Sequence, residues 1–244
     1  MRIPVIQGVI DRRILVNFRV RPDSLQPLLP PPFRPKTIRG WGMAGICLIR
    51  LKQIRPRHLP AAIGISSENA AHRIAVQWER DGKRHEGVYV ARRDSSSHFN
   101  TIAGGRLFPG VHHHARFDIH ENENSFRIEL ASDDGKIRML VDGSRALALP
   151  QTSIFESLSE ASAFFEAGSV GYSPSINNDE YDGLELRSYQ WKVEPLEVRR
   201  VESTFFSDTS TFPSGSLEFD CALLMRGIEH EWHDHGRMTA GAST

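Results

Sequence analysis

The stretch HRIAVQWERDGKRHEGVYVARRD, residues 72–94, carries the reading of the fold. Its first eight residues, His72 to Glu79, have the β-branched and aromatic mixture of a half-buried strand. Asp81-Gly82 is a turn dipeptide suited to positive φ, and Glu86 to Ala91 returns as the partner strand. The segment therefore reads as a β-hairpin, and the chain on both sides repeats the theme.

Toward the C-terminus, Val111-His112-His113-His114-Ala115-Arg116-Phe117-Asp118-Ile119-His120 alternates strictly. Side chains of a strand point to opposite faces in turn, so this is a central strand with His112, His114, Arg116 and Asp118 on one face. Further strands are expected near 125–131, 137–142, 184–193, 196–206 and 216–226, with turns at Asn122-Glu123-Asn124 and Asp133-Asp134-Gly135. Toward the N-terminus, Ile14 to Val20 and Ala44 to Leu51 are apolar strands. Residues 21–29 between them read as a short helical stretch, stopped by Pro30, Pro31 and Pro32. Two other helices are expected. His98 to Arg106 follows the capping serines 95–97. Ser157 to Ala167 has capping-box spacing between Ser157 and Glu160, and Gly168 stands where a left-handed C-cap belongs. Residues 171–182 read as a polar surface loop, and the segment after Gly236 as a frayed tail. Eight or nine strands with two or three short helices make a β-rich α+β fold. One domain is expected over residues 1–236, with 237–244 outside it.

The 30 basic and 30 acidic side chains among 244 residues cancel. That balance argues against a nucleic-acid binder or an electrostatic membrane binder, both of which use a basic excess. No apolar run is long enough to span a bilayer as a helix, and the first residues lack the pattern of a signal peptide. Cys47 and Cys221, both in apolar runs, read as buried thiols of a reducing cytoplasm. The expected protein is cytoplasmic.

Several residues have chemical potential. His112 and His114, two apart on one strand face, have chelating geometry, with a solvated polar face and proton transfer as the other readings. The group Glu229-His230-Glu231-Trp232-His233-Asp234-His235 has ligand-like spacing but no complete metal motif, and reads best as a polar segment. Gly104-Gly105 matches no phosphate-binding loop. Arg92-Arg93-Asp94 closes the hairpin. By alternation the two arginines cannot point the same way: one reading sends one of them into a pocket while the other pairs with Asp94, and the alternative is two surface arginines with one ion pair. An inward guanidinium is a fixed fork for a carboxylate or phosphate.

Five segments stand out together: Ile46-Cys47-Leu48-Ile49-Arg50, Ser67-Glu68-Asn69, Arg92-Arg93-Asp94, Phe108-Pro109-Gly110-Val111-His112-His113-His114 and Phe164-Phe165-Glu166-Ala167-Gly168. Through them the chain, from about residue 2 to 233, resembles the YqjF-like family of bacterial proteins, a domain of unknown function. The resemblance implies an acetoacetate decarboxylase-like fold, a curved antiparallel β-cone or barrel with a ligand cavity and a few short helices. Phe18 to Leu25 followed by Leu28-Leu29-Pro30 and Pro32-Phe33, and Gly82 to Arg93, look like the matching segments of the decarboxylase itself. In that enzyme an adjacent lysine pair ends the second segment, and one lysine forms a Schiff base with the keto acid. Here the pair is Arg92-Arg93. Arginine stays protonated and cannot become the free amine, and none of Lys36, Lys52, Lys83, Lys136 or Lys192 sits at that strand end.

The expected function is a pocket for a small, anionic organic molecule. Arg92 or Arg93, His112 and Tyr89 are the substrate-binding candidates; Glu86, Glu68 and His114 are the acid–base candidates. A lyase- or hydrolase-type step on a keto acid or related compound without Schiff-base chemistry is one version. A non-catalytic binder, or a metalloprotein using His112 and His114, is the alternative. No cofactor is expected. The expected partner is a small-molecule ligand, with no nucleic acid and no membrane, and a homo-oligomer stays open.

Overall fold

In a computed structural model, which describes residues 4–103, 110–177 and 179–239, one thirteen-stranded sheet organises the chain. In chain order the strands are β1 (Ile6–Val20), β2 (Arg34–Pro35), β3 (Thr37–Ile38), β4 (Trp41–Pro56), β5 (Ile65–Arg80), β6 (Lys83–Ser95), β7 (His112–Glu121), β8 (Ser125–Ser132), β9 (Arg138–Arg145), β10 (Val170–Pro174), β11 (Glu180–Ser188), β12 (Glu194–Ser203) and β13 (Leu217–Thr239). Helices α1 (Pro22–Leu25), α2 (His98–Ala103) and α3 (Leu158–Glu166) are short. Among the described residues, no helix is long and apolar enough to cross a membrane.

The sheet closes on itself twice. β13, β1, β4, β5 and β6 form a common wall. From β6 one circuit returns to β13 through β7, β8, β9 and β12, and a shorter one returns through β10 and β11. Both branches leave β6 by parallel pairing, at Val88-Tyr89 for β10 and at Arg93 to Ser95 for β7. The common wall thus has two working faces. Even-numbered residues of β1, such as Ile14, Val16 and Phe18, join Ile46, Leu48, Ile74, Ile128 and Val141 in the larger core. Odd-numbered Leu15 joins Cys47, Ala75, Phe165 and Leu223 beneath α3. Two-residue periodicity makes one strand serve two interiors.

The hairpin of residues 72–94 forms, with Asp81 and Gly82 both at positive φ in its turn. Residues 111–120 form a strand from His112 onward, between β6 and β8. α3 is capped as its sequence directs: Ser157 Oγ accepts the Glu160 N–H at 3.1 Å, and the Glu160 carboxylate accepts the Glu156 N–H at 2.7 Å.

Four expectations are corrected. Gly168 is not a left-handed cap: it is absent from the positive-φ glycines, and Ala167 ends the helix in right-handed geometry. The chain needs no reversal there, and the bare Gly168 Cα instead faces Val88. Residues 171–182 are not one surface loop: 175–177 are irregular, but 180–182 belong to β11 and 171–174 to β10, whose Tyr172 and Ser173 are only 1% exposed because that strand closes the shorter circuit. The segment past Gly236 continues as β13 to Thr239, its backbone taken up by Glu180 to Asp182. Residues 240–244, like 104–106 of the expected second helix, lie outside the described residues. Finally, thirteen strands form where eight or nine were expected, β2, β3 and β10 being strands with no sequence pattern of their own.

Candidate functional site

A cavity of about 170 Å³ lies inside the shorter circuit, and every one of its seven strands contributes to the wall. Most of the wall is apolar, with Ile49, Leu51, Ile54, Ile65, Val88, Val90, Leu184 and Leu186 among the aliphatic contributors. A space of this size matches an engineered cavity that accepts benzene, so the occupant has roughly six heavy atoms.

Three arginines break the apolar wall. Arg93 donates from Nε to Ser173 Oγ at 2.9 Å. Arg73 is 5% exposed, donates from Nη2 to Asn17 Oδ1 at 2.5 Å, and lies 5.1 Å from the Phe165 ring, while its Nε has no partner. Arg13 donates from Nε to Cys47 Sγ at 3.2 Å and lies 5.7 Å from the Trp191 ring, with Nη1 buried and unpartnered. Among the described residues none of the three has a carboxylate partner, and the remaining residues of the chain include no Asp or Glu side chain. Burial lowers Arg93 and Arg73 to about 10 each. Both stay charged at neutral pH, at a cost in desolvation.

Neighbouring arginines on the other face are treated differently. Arg92 pairs with Asp94 at 2.8 Å and Asp134 at 2.9 Å. Arg12 and Arg50 share Glu68 and Glu121 in a four-membered network. Asp94 touches the cavity but is spent on Arg92, which leaves Asp234 as the other acid on the wall.

A backbone irregularity decides which arginine of the pair faces inward. Val88 and Val90 line the cavity, so strict alternation would continue to residue 92. His72 pairs with Arg92 but Arg73 pairs with Val90, so Ala91 is an extra residue on β6. This bulge resets the phase, turning Arg93 to the cavity and Arg92 to Asp94.

His112 lies beside Arg93 in register on β7 and lines the cavity. Its Nδ1 is 3.0 Å from the Gly110 carbonyl, which can only accept. Nδ1 therefore carries the proton, and in the neutral ring Nε2 keeps its lone pair. Burial, with Arg93 adding to it, lowers His112 to about 4. On the far side, Ser67, Asn69 and Asn100 form a hydrogen-bonded patch with Ser95, including Asn69 Nδ2 to Ser67 Oγ at 2.9 Å and Ser95 Oγ to Asn69 Oδ1 at 2.7 Å.

The other candidates lie elsewhere. Glu86 pairs with Lys36 at 2.5 Å, outside the wall. Glu68 belongs to the Arg12–Arg50 network, because Ser67 and Asn69 take the inward positions on either side of it. His114 stacks on His98 at 3.9 Å and contacts Asp133 at 2.7 Å. Tyr89 packs in an aromatic cluster with Phe33 and Tyr181. His112 and His114 thus do different things, and among the described residues no group of three or more acidic, His or Cys side chains has the geometry to hold a metal ion. His230 is 1% exposed against Trp232, and His233 contacts Glu231. Arg13 and Arg73 are not among the sequence candidates. The available signal is an arginine interrupting an otherwise apolar strand.

A family profile described as "Uncharacterized conserved protein", DUF2071, matches residues 10–219. No curated protein matches the chain. Among solved structures, acetoacetate decarboxylase from Legionella pneumophila superposes with a TM-score of 0.61 at 12% identity, over 96% of this chain and 87% of that one. An acetoacetate decarboxylase-like enzyme from Sphingomonas wittichii RW1 gives 0.56 at 13% identity, over 97% and 91%. The enduracididine biosynthesis enzyme MppR complexed with pyruvate gives 0.58 at 11% identity, over 97% and 90%. At these identities the likeness establishes the fold.

Proposed function

The chain belongs to the DUF2071 family and has the acetoacetate decarboxylase-like fold, and on that premise we propose that it binds a small organic carboxylate inside the shorter circuit. The observation that carries this reading is the trio Arg13, Arg73 and Arg93, three guanidiniums on a largely apolar wall without carboxylate partners. A buried cation left unpaired is costly, and an incoming anion removes the cost. The volume selects acids of about six heavy atoms, and the apolar wall favours a short hydrocarbon tail.

Schiff-base chemistry is not part of the proposal, since no lysine lines the wall among the described residues. The reacting pair available is His112 beside Arg93. The neutral imidazole accepts a proton from a carbon next to a carbonyl, while the guanidinium holds the enolate oxygen. Binding without chemistry is the second reading, favoured by the low basicity of His112, which makes it a weak base at neutral pH.

The test is a panel of short carboxylic and 2-oxo acids, each beside its amide, followed by thermal shift and calorimetry. Acids should stabilise the protein and amides should not; equal responses refute the proposal. Exchange of the α-proton in D₂O, followed by NMR, then separates the two readings. Exchange lost in His112→Ala supports proton transfer, and binding without exchange supports the binder.

A further inference from the structure

We infer that Cys47 is a nucleophile of this cavity, poised to add to small carboxylates that carry an electrophilic carbon. The inference rests on the anion-binding reading and deepens it. Cys47 lies on β4, opposite Leu15 of β1 and Ala71 of β5. Arg13 pairs with Ile49 and Arg73 with Gly45, so each arginine stands diagonally across from Cys47 on the same face. Arg13 Nε donates directly to the sulfur at 3.2 Å. Arg73 and Arg93 are both within electrostatic reach of it. Arg73, which lines the same cavity, is 95% buried and has no partner for its Nε, which marks the place of an anion.

Cys47 lines the cavity with its sulfur at hydrogen-bond distance from one guanidinium, so an electrophilic carbon held there meets the nucleophilic atom. The arginines that surround the sulfur also hold a carboxylate close to it, so they place the target beside the nucleophile. In the addition, the S–H proton is lost and an S–C bond forms. With an alkyl halide the carbon–halogen pair leaves as halide. With an unsaturated acid the π pair moves to the neighbouring carbon, which takes up a proton. No oxidant or reductant enters.

Cys221 is a built-in control. It is fully buried, stands opposite Asn17 outside the cavity wall, and burial with the Asp220 carboxylate beside it pushes its thiol up. The experiment compares iodoacetate with neutral iodoacetamide on the full-length folded protein, by peptide mass spectrometry. Iodoacetate should label Cys47 faster than iodoacetamide, by roughly tenfold or more, the scale of one opposite charge at short range. Cys221 should stay unlabelled. Acetate should slow labelling in the wild-type protein, a readout that needs no variant, and Arg13→Gln or Arg73→Gln should erase the preference for the anion. Labelling of Cys47 at equal rates by both reagents overturns the inference together with the anion reading. No labelling of Cys47, in a protein that short acids still stabilise thermally, overturns the inference alone.

Discussion

Replacing Arg93 by methionine removes the charge and keeps most of the stem. Burial lowers Arg93 from its ordinary value to about 10. At 1.36 kcal/mol per unit this is about 3 kcal/mol of cost for keeping it charged, and solvent screening of a half-buried group reduces it to about 1–3 kcal/mol. Linkage gives the sign. The unfolded chain holds the proton more tightly, so the cost is complete at any pH below about 10 and is relieved only above it. Against the gain stands Ser173 Oγ, 1% exposed as a residue, which loses its donor at a cost of about 1 kcal/mol. The ligand-free Arg93→Met protein should therefore be as stable as the parent or more stable by up to about 2 kcal/mol. At about 2–4 °C per kcal/mol for a chain of this size, Tm rises by at most about 8 °C. Binding moves the other way. Loss of a charge-assisted contact of roughly 1.5–3 kcal/mol weakens a short carboxylate about 10- to 150-fold, and Arg93→Lys recovers little because the ammonium lacks the planar fork. Scanning fluorimetry with and without the acid reads both effects. A variant that melts several degrees lower without ligand, or that keeps the parent's response to the acid, refutes the reasoning.

The remaining predictions concern stability and chemistry around the same wall. Arg92→Ala leaves Asp94 buried without its partner, so urea denaturation should show a loss of about 3–5 kcal/mol while the acid-induced Tm shift persists; a loss below about 1 kcal/mol contradicts the assigned roles. His72, His112 and His230 are lowered to about 3, 4 and 4, each chiefly by burial. Because their unfolded value near 6.5 is higher, stability should fall as pH drops from about 6.5 toward 4, with a slope approaching 4 kcal/mol per pH unit near pH 5, and a flat profile there argues against burial of neutral imidazoles. Gly110→Ala puts a methyl at φ +80°, 2.7 Å from Ser173 Cβ and 3.2 Å from Arg93 Nε. It should cost about 1–2 kcal/mol and weaken acid binding by displacing the guanidinium, as urea melts and calorimetry will report. Borohydride with acetoacetate should give no mass increase on any lysine, whereas an adduct would show that a lysine has taken over the nucleophile's place.

The legible part of the sequence is local. Hairpin 72–94 declares itself through Asp81-Gly82, α3 through Ser157 and Glu160, and β7 through ten residues of alternation, because turn chemistry, capping and period two act within a few residues. β10 is hidden for the opposite reason. Val170-Gly171-Tyr172-Ser173-Pro174 is neither apolar nor alternating, and it becomes a strand only where β6 and β11 supply partners on both sides. The cavity depends on that closure, so its existence comes from the family resemblance and not from periodicity. Arg13 escapes because the apolar pattern of the first strand begins at Ile14, which leaves two arginines outside the pattern that orients them.

The arginine pair shows where sequence reasoning stops in physical terms. Alternation requires Arg92 and Arg93 to face opposite ways, and it cannot assign the faces without a correct count from a fixed point. Counting from Val88 and Val90, both on the cavity, would choose Arg92. One unpaired residue, Ala91, reverses the choice. Ion pairs of the next residues along β6 hold the bulge in place. Arg92 reaches both Asp94 and Asp134, and Asp94 is completely buried, so slipping the register back would strand that carboxylate away from its cation. A structural ion pair on one face of β6 thereby fixes an unpaired guanidinium on the other. This is why the two arginines, identical in the chain, are expected to answer mutation in opposite directions: loss of Arg92 harms the fold and spares the ligand, and loss of Arg93 spares the fold and harms the ligand.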